Sequence, residues 1–209
     1  MTGYLLGRIF VMLTQPRKQE LSRPRRSGSR AWQGDVINAL LVFVLGVLTA
    51  ANAAAKTGIW IGHEELAGLP ITGPAWENVK RAADTPTPEP RLSDQDDPSN
   101  VRVVAKALVY ARTRESRYRD EVIRACRRII GTEKGGRILA LGRELAAYVI
   151  AADLVRLPAE DDRQFRRWLR ASLDVRLQGK TLRSTHEQRP NNWGTAAGAS
   201  RAAIAAYLD

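Results

Sequence analysis

The chain has 209 residues, with 33 Lys and Arg against 22 Asp and Glu, one Cys, two His and 44% hydrophobic residues. That is enough apolar chain for one folded core, and it excludes wholesale disorder. A single cysteine excludes an internal disulfide framework or a multi-cysteine zinc site, and two histidines do not make a His-rich metal centre, so no metal or redox cofactor is expected.

Residues 1–35 carry seven basic residues and two acids, so almost half of the formal net charge of +11 sits in a short leader. An apolar run follows from Val36 to Ala55, with Leu40-Leu41-Val42-Phe43-Val44-Leu45 at its heart and Ala51-Asn52-Ala53-Ala54-Ala55 at its exit. A basic stretch, an apolar stretch and a small-residue exit together describe a secretory signal peptide, which predicts a periplasmic or secreted protein. If left uncleaved, the Val36–Ala55 segment would be just long enough to anchor the chain in a membrane. Asn38, Thr49 and Asn52 weaken that second reading. Residues 1–55 are therefore read as leader and residues 56–209 as the folded domain.

Ile59 to Pro70 contains a short apolar pattern. Gly73-Pro74-Ala75-Trp76 places proline at a first helical position, and Trp76, Val79 and Ala83 follow at helical spacing. Thr85-Pro86-Thr87-Pro88-Glu89-Pro90 cannot continue a helix and reads as an extended loop. The acidic turn Ser93–Pro98 lacks the glycine and the spaced ligands of a calcium loop, so it reads as a solvated loop and helix cap.

From Ser99 onward the pattern is helical. Val101, Val104, Ala105, Leu108 and Val109 form one stripe, with Ser99 or Asn100 as its cap. Tyr118, Val122, Ile123, Cys126, Ile129 and Ile130 form the next, ending near Gly131. Ile138, Leu141, Leu145, Tyr148, Val149, Ala152 and Val155 form a third. Phe165, Trp168, Leu169 and Leu173 belong to a fourth, which opens on Glu160-Asp161-Asp162, acids suited to a helix N-terminus. A polar stretch, Gln178 to Asn192, precedes a last alanine-rich helix from about Gly194 to Leu208. No segment shows strand alternation. The fold class is all-α, with antiparallel hairpins over 99–130 and 137–176 arrayed as a solenoid or a closed toroid.

The most unusual stretch is His186-Glu187-Gln188-Arg189-Pro190-Asn191-Asn192-Trp193-Gly194. It gathers an imidazole, a guanidinium, two carboxamides and an indole just before a helix start. A structural account is available for each: Asn192 as cap, Pro190 fixing the turn, Trp193 plugging the core. The same residues also suit a carboxylate-bearing sugar, because Arg and Asn hold carboxylates and Trp faces stack on sugar rings.

Leu139 to Leu154, together with Arg189-Pro190-Asn191-Asn192-Trp193-Gly194-Thr195-Ala196-Ala197-Gly198-Ala199-Ser200-Arg201, resembles the bacterial alginate lyase superfamily. The resemblance spans roughly residues 58–209. It implies an (α/α) toroid of helix hairpins and β-elimination of an anionic polyuronate such as alginate, normally outside the cytoplasm. In that family the group neutralising the uronate carboxylate lies in an Asn-Asn-His-like motif. Asn191 and Asn192 match it, with Asn192 as the carboxylate-binding amide; Trp193 stands where the family has histidine. His186 is the candidate base, with Arg189, Asn191, Trp193 and Arg143 as candidate substrate contacts. The implied toroid needs more helices than this sequence shows, which reads as either a fragment or a naturally shortened version.

Tyr148 falls on the apolar stripe and reads as core. Asp153 is expected to pair with Arg156 at i+3. Trp60, Trp76 and Trp168 could stack on sugars, although Trp76 and Trp168 occupy core positions. The run Arg112, Arg114, Arg117, Arg119, Arg124, Arg127 and Arg128 reads as a solvated face diluted by Glu115, Asp120 and Glu121. With much of the charge in the leader and no recognised nucleic-acid motif, nucleic acid is not the expected partner. Two further readings stand beside the exported lyase: a non-catalytic or degenerate domain binding acidic polysaccharide, and a membrane-anchored helical interaction protein.

Overall fold

The computed structural model describes residues 58–209; the basic leader and the Val36–Ala55 run lie outside the described residues. Eight helices follow in order: α1 His63–Gly68, α2 Pro74–Asp84, α3 Ser99–Thr113, α4 Ser116–Arg128, α5 Ile138–Val155, α6 Ala159–Ser172, α7 Leu182–Gln188 and α8 Asn192–Leu208. Among the described residues there is no strand, only an isolated bridge from Leu177 to Lys180 that closes a turn. No helix among them is long and apolar enough to cross a membrane.

α3 packs closely against α2, α4 and α5, so the hairpin expected over 99–130 forms as α3 with α4, and α8 packs mainly against α5 and α7. The inner helices α3, α5 and α8 lie side by side with α5 in the middle. Its position explains its composition: Leu141, Leu145, Tyr148, Val149, Ala151 and Ala152 are fully buried, and apolar residues occur around most of its circumference. The outer helices α4 and α6 show the opposite pattern, apolar on one stripe and arginine-rich elsewhere.

The hairpin expected over 137–176 does not close as a tight pair. α6 instead makes its close approaches to α4 and α8. Arg156 ends α5 with a left-handed φ of 51°, and Pro158 follows, turning the chain away before α6 begins. Phe165 then packs edge-on against Tyr207 of α8, and the Arg127 guanidinium of α4 donates twice to the Asp161 carboxylate, at 2.6 and 2.8 Å. The same turn overturns the Asp153–Arg156 pair, because Arg156 has left the helical path. Asp153 accepts the Ile59 N–H instead, at 3.0 Å.

Two further local readings change. Neither Ser99 nor Asn100 caps α3; the buried Asp97 carboxylate does, accepting the Ser99 N–H at 2.9 Å, the Ser99 hydroxyl at 2.6 Å and the Arg91 N–H at 2.6 Å. Since the Ser99 proton goes to Asp97, Tyr148 donates its own to Ser99 at 2.5 Å. Part of the acidic turn is thus a buried anchor between α3 and α5.

The arginine run also proves partly structural. Arg112 donates to the Leu66 and Leu69 carbonyls, both at 2.7 Å, and Arg119 to the Val155 and Arg156 carbonyls. Each ties an end of one helix to its neighbour. Lys106 is buried in the same way, reaching the Ala83 and Thr85 carbonyls and Glu121 at 2.9 Å.

Candidate functional site

Inter-helix contacts fix the direction of the inner helices. Arg137 meets Trp193, Gly142 meets Ala196 and Ala197, and Ala146 meets Ser200, so α5 and α8 run parallel. Asn100 donates to Glu144 near the start of α3, while Arg119, in the first turn of α4 just after the short α3–α4 turn, reaches the carbonyls at the end of α5. α3 is therefore parallel to both. The N-terminal ends of all three inner helices gather at one end of the molecule, where the 93–97 loop also packs, Ser93 lying against Gly136. The candidate residues belong to this end. Trp60 does not: its neighbour Ile59 bonds Asp153 at the other end of α5.

The turn leading into α8 is built by its own sequence. α7, which sequence periodicity passes over, starts with a reciprocal capping box between Thr181 and Ser184. Its last turn carries His186, and Arg189-Pro190-Asn191 doubles the chain back. A Cβ at Gly194 would lie 1.9 Å from the Arg189 carbonyl oxygen, so this tight return requires glycine. Asn191, not Asn192, is the cap: its Oδ1 accepts the Trp193 N–H at 3.0 Å. Asn192 is left exposed on the first turn of a seventeen-residue helix, beside backbone N–H groups that favour an anion.

Trp193 is half-buried, and two guanidinium groups lie over its ring. Arg189 Cζ is 4.9 Å and Arg137 Cζ 5.3 Å from the ring centroid. The indole expected to meet a sugar ring is thus flanked by cations. Among the described residues, neither guanidinium has a hydrogen-bond or ion-pair partner.

His186 is exposed. Its Nδ1 lies 2.9 Å from Arg201 Nη1 and its Nε2 edge sits against Gly198. A guanidinium only donates, so Nδ1 accepts and Nε2 carries the ring proton. The single lone pair of the imidazole is occupied in this arrangement. Arg201 Nη1 also lies 3.3 Å from the Glu187 carboxylate. His186, Arg189, Asn191, Gly194, Thr195 and Gly198 line an open depression of about 410 Å³ with Pro190 at its rim.

Arg143 lies outside that lining, on α5. It is half-buried between Asp96 at 4.0 Å and Glu144 at 3.8 Å. Glu144 is buried and accepts from the Asn100 amide. Burial pushes its carboxyl up to about 7, against the opposing influence of Arg143 and with Asp97 adding to the rise.

Sequence patterns missed Arg137, Arg201 and Glu144. Glu144 and Arg201 sit within the stretches already singled out, but helical phase alone does not say which neighbour each meets. Arg137 is 56 positions from Trp193, and only the parallel packing of α5 on α8 joins them. Among the described residues, no group of three or more His, Cys, Asp or Glu side chains could hold a metal ion.

No curated protein and no solved structure matches the chain significantly. The family model described as alginate lyase matches residues 90–209, which takes in α3 to α8 and every residue of the depression. The chain belongs to the alginate lyase family, and that membership supports polysaccharide lyase chemistry as its activity.

Proposed function

We propose that the protein is an exported lyase that cleaves an anionic polyuronate such as alginate by β-elimination. The observation that carries this reading is the start of α8, where the exposed Asn192 lies on the first helical turn and the Arg189 guanidinium, lying over Trp193, lines an open depression next to it. Such a setting neutralises a uronate carboxylate. Neutralisation acidifies the C5 proton; a base removes it, the C4–O bond breaks as the C4–C5 double bond forms, and the departing oxygen takes a proton from water. Asn192 binds the carboxylate and Arg189 assists. His186 acts as the base once Arg201 moves fully to Glu187, which frees the Nδ1 lone pair. The basic leader and the apolar Val36–Ala55 run support export.

Incubation of the full chain with alginate and other polyuronates tests the reading through the ultraviolet absorbance of the unsaturated uronate left at each new chain end. A rise that disappears in Asn192→Ala is expected. The engaged lone pair of His186 favours one second reading, a domain that binds the polymer without cleaving it. Binding by folded protein with no absorbance change on any polyuronate would establish that alternative.

A further inference from the structure

Several arginines in this protein are committed: Arg112 and Arg119 hold carbonyls, Arg127 holds Asp161, and Arg201 bridges His186 and Glu187. Arg137 and Arg189 are distinguished by sharing one aromatic ring. They come from two separate segments, one preceding α5 and one preceding α8, and they meet only on the Trp193 ring. A guanidinium held over an aromatic ring by cation–π attraction spends no N–H on a hydrogen-bond partner, so its donors stay available to a carboxylate. Holding both groups on one ring also overcomes part of their mutual repulsion and reduces the entropy lost when an anion is bound.

We propose that Arg137 and Arg189, both held over Trp193, form a clamp for uronate carboxylates, so that the indole presents two cations where the family's motif has an imidazole. The clamp rests on the polyuronate reading above and adds to it a residue from α5's own N-terminus. The indole, already covered by guanidinium groups, is not offered as a platform for a nucleobase, which single-stranded nucleic acid would require. The occupant is a polymer with closely spaced carboxylates and neighbouring hydroxyls, the latter suited to the exposed Asn191 and Asn192 amides.

Calorimetric titration of the full chain with alginate oligosaccharide, and with the same oligosaccharide after reduction of its carboxyl groups, tests the clamp. Arg137 is exposed and its side chain makes no capping bond, so Arg137→Ala and Arg137→Lys are expected to keep the wild-type unfolding midpoint. Arg137→Ala should raise the Kd for the acidic oligosaccharide roughly tenfold or more, the scale of a lost charge-assisted hydrogen bond, and Arg137→Lys should recover part of the loss. The reduced oligosaccharide should bind wild type and Arg137→Ala equally. An unchanged Kd in Arg137→Ala, or an equal loss with the reduced oligosaccharide, overturns the clamp alone. Tighter binding of single-stranded nucleic acid of matched charge also overturns it. A folded wild type that binds no polyuronate overturns the polyuronate reading together with the clamp.

Discussion

Ser200 of α8 completes the backbone of α5 at Gly142. Its hydroxyl donates to the Gly142 carbonyl at 2.8 Å and accepts the Ala146 N–H at 3.1 Å, the two groups that one turn of helix would join to each other. Gly142 allows this closeness, since a Cβ there would lie 3.1 Å from the Ala197 nitrogen. One hydroxyl and one missing methyl group thus help to hold the seam that brings Arg137 to Trp193.

Ser200→Ala removes both bonds from a fully buried position. A loss of about 1–3 kcal/mol is expected, since the hydroxyl's donor and acceptor bonds are both lost at a close helix contact. Urea denaturation monitored by far-ultraviolet circular dichroism measures it. An effect of a few tenths would mean that α5 closes its own turn without help.

Gly194→Ala should be more damaging than its size suggests. The new methyl group collides with the Arg189 carbonyl, so either α8 or the Arg189–Asn191 turn must shift. A stability loss of about 1–3 kcal/mol is expected, together with weakened alginate-oligosaccharide binding in protein that is still folded. Calorimetric titration beside a urea melt separates the two effects. Undiminished binding would detach the turn from the site.

Glu144 makes stability depend on pH in a definite direction. Its carboxyl goes from an ordinary 4.5 up to about 7 on folding, so the folded state holds its proton more tightly. Its contribution is fully present below about 4.5 and is lost as pH rises to about 7, with no further change above. Glu144→Gln keeps an acceptor for the Asn100 amide and removes the titration. Urea midpoints taken below, within and above that window should fall with pH in the wild type and fall less in the variant. Parallel curves would contradict the assignment.

Cys126 should be inert while the protein is folded. It is buried among the core side chains, and burial pushes its thiol up to about 12, so almost no thiolate is present at neutral pH. A chromogenic disulfide reagent should report no reaction with native protein and one thiol after denaturation. Rapid reaction in native buffer would show that the core opens between α4 and its neighbours.

The helices were largely legible because long apolar stripes have an unmistakable period. The third stripe ran from Ile138 to Val155, as α5 does. α7 escaped notice because it is short and buries only Leu182 and Thr185. Choosing between adjacent asparagines as the cap of α8 was beyond periodicity, since both side chains can cap and the phase is set by the Arg189 carbonyl passing over Gly194. Asp97 was hidden for a related reason. An acidic loop looks solvated until the hydroxyls and N–H groups that surround one of its carboxylates are known. The site was legible only in part, through the local cluster from His186 to Trp193. Its other contributor, Arg137, arrives through tertiary packing.

The common direction of α3, α5 and α8 has a kinetic consequence. Each helix brings a partial positive charge to the same end, and Arg137 and Arg189 add two whole ones there, while Asp94, Asp96 and Glu187 at that end are each faced by another arginine, Arg91, Arg143 and Arg201. A long polyanion should feel this field before it touches the surface, so diffusional encounter should be fast in dilute buffer and slow sharply as ionic strength shortens the reach of the field. Dissociation, governed by contacts already made, should respond far less.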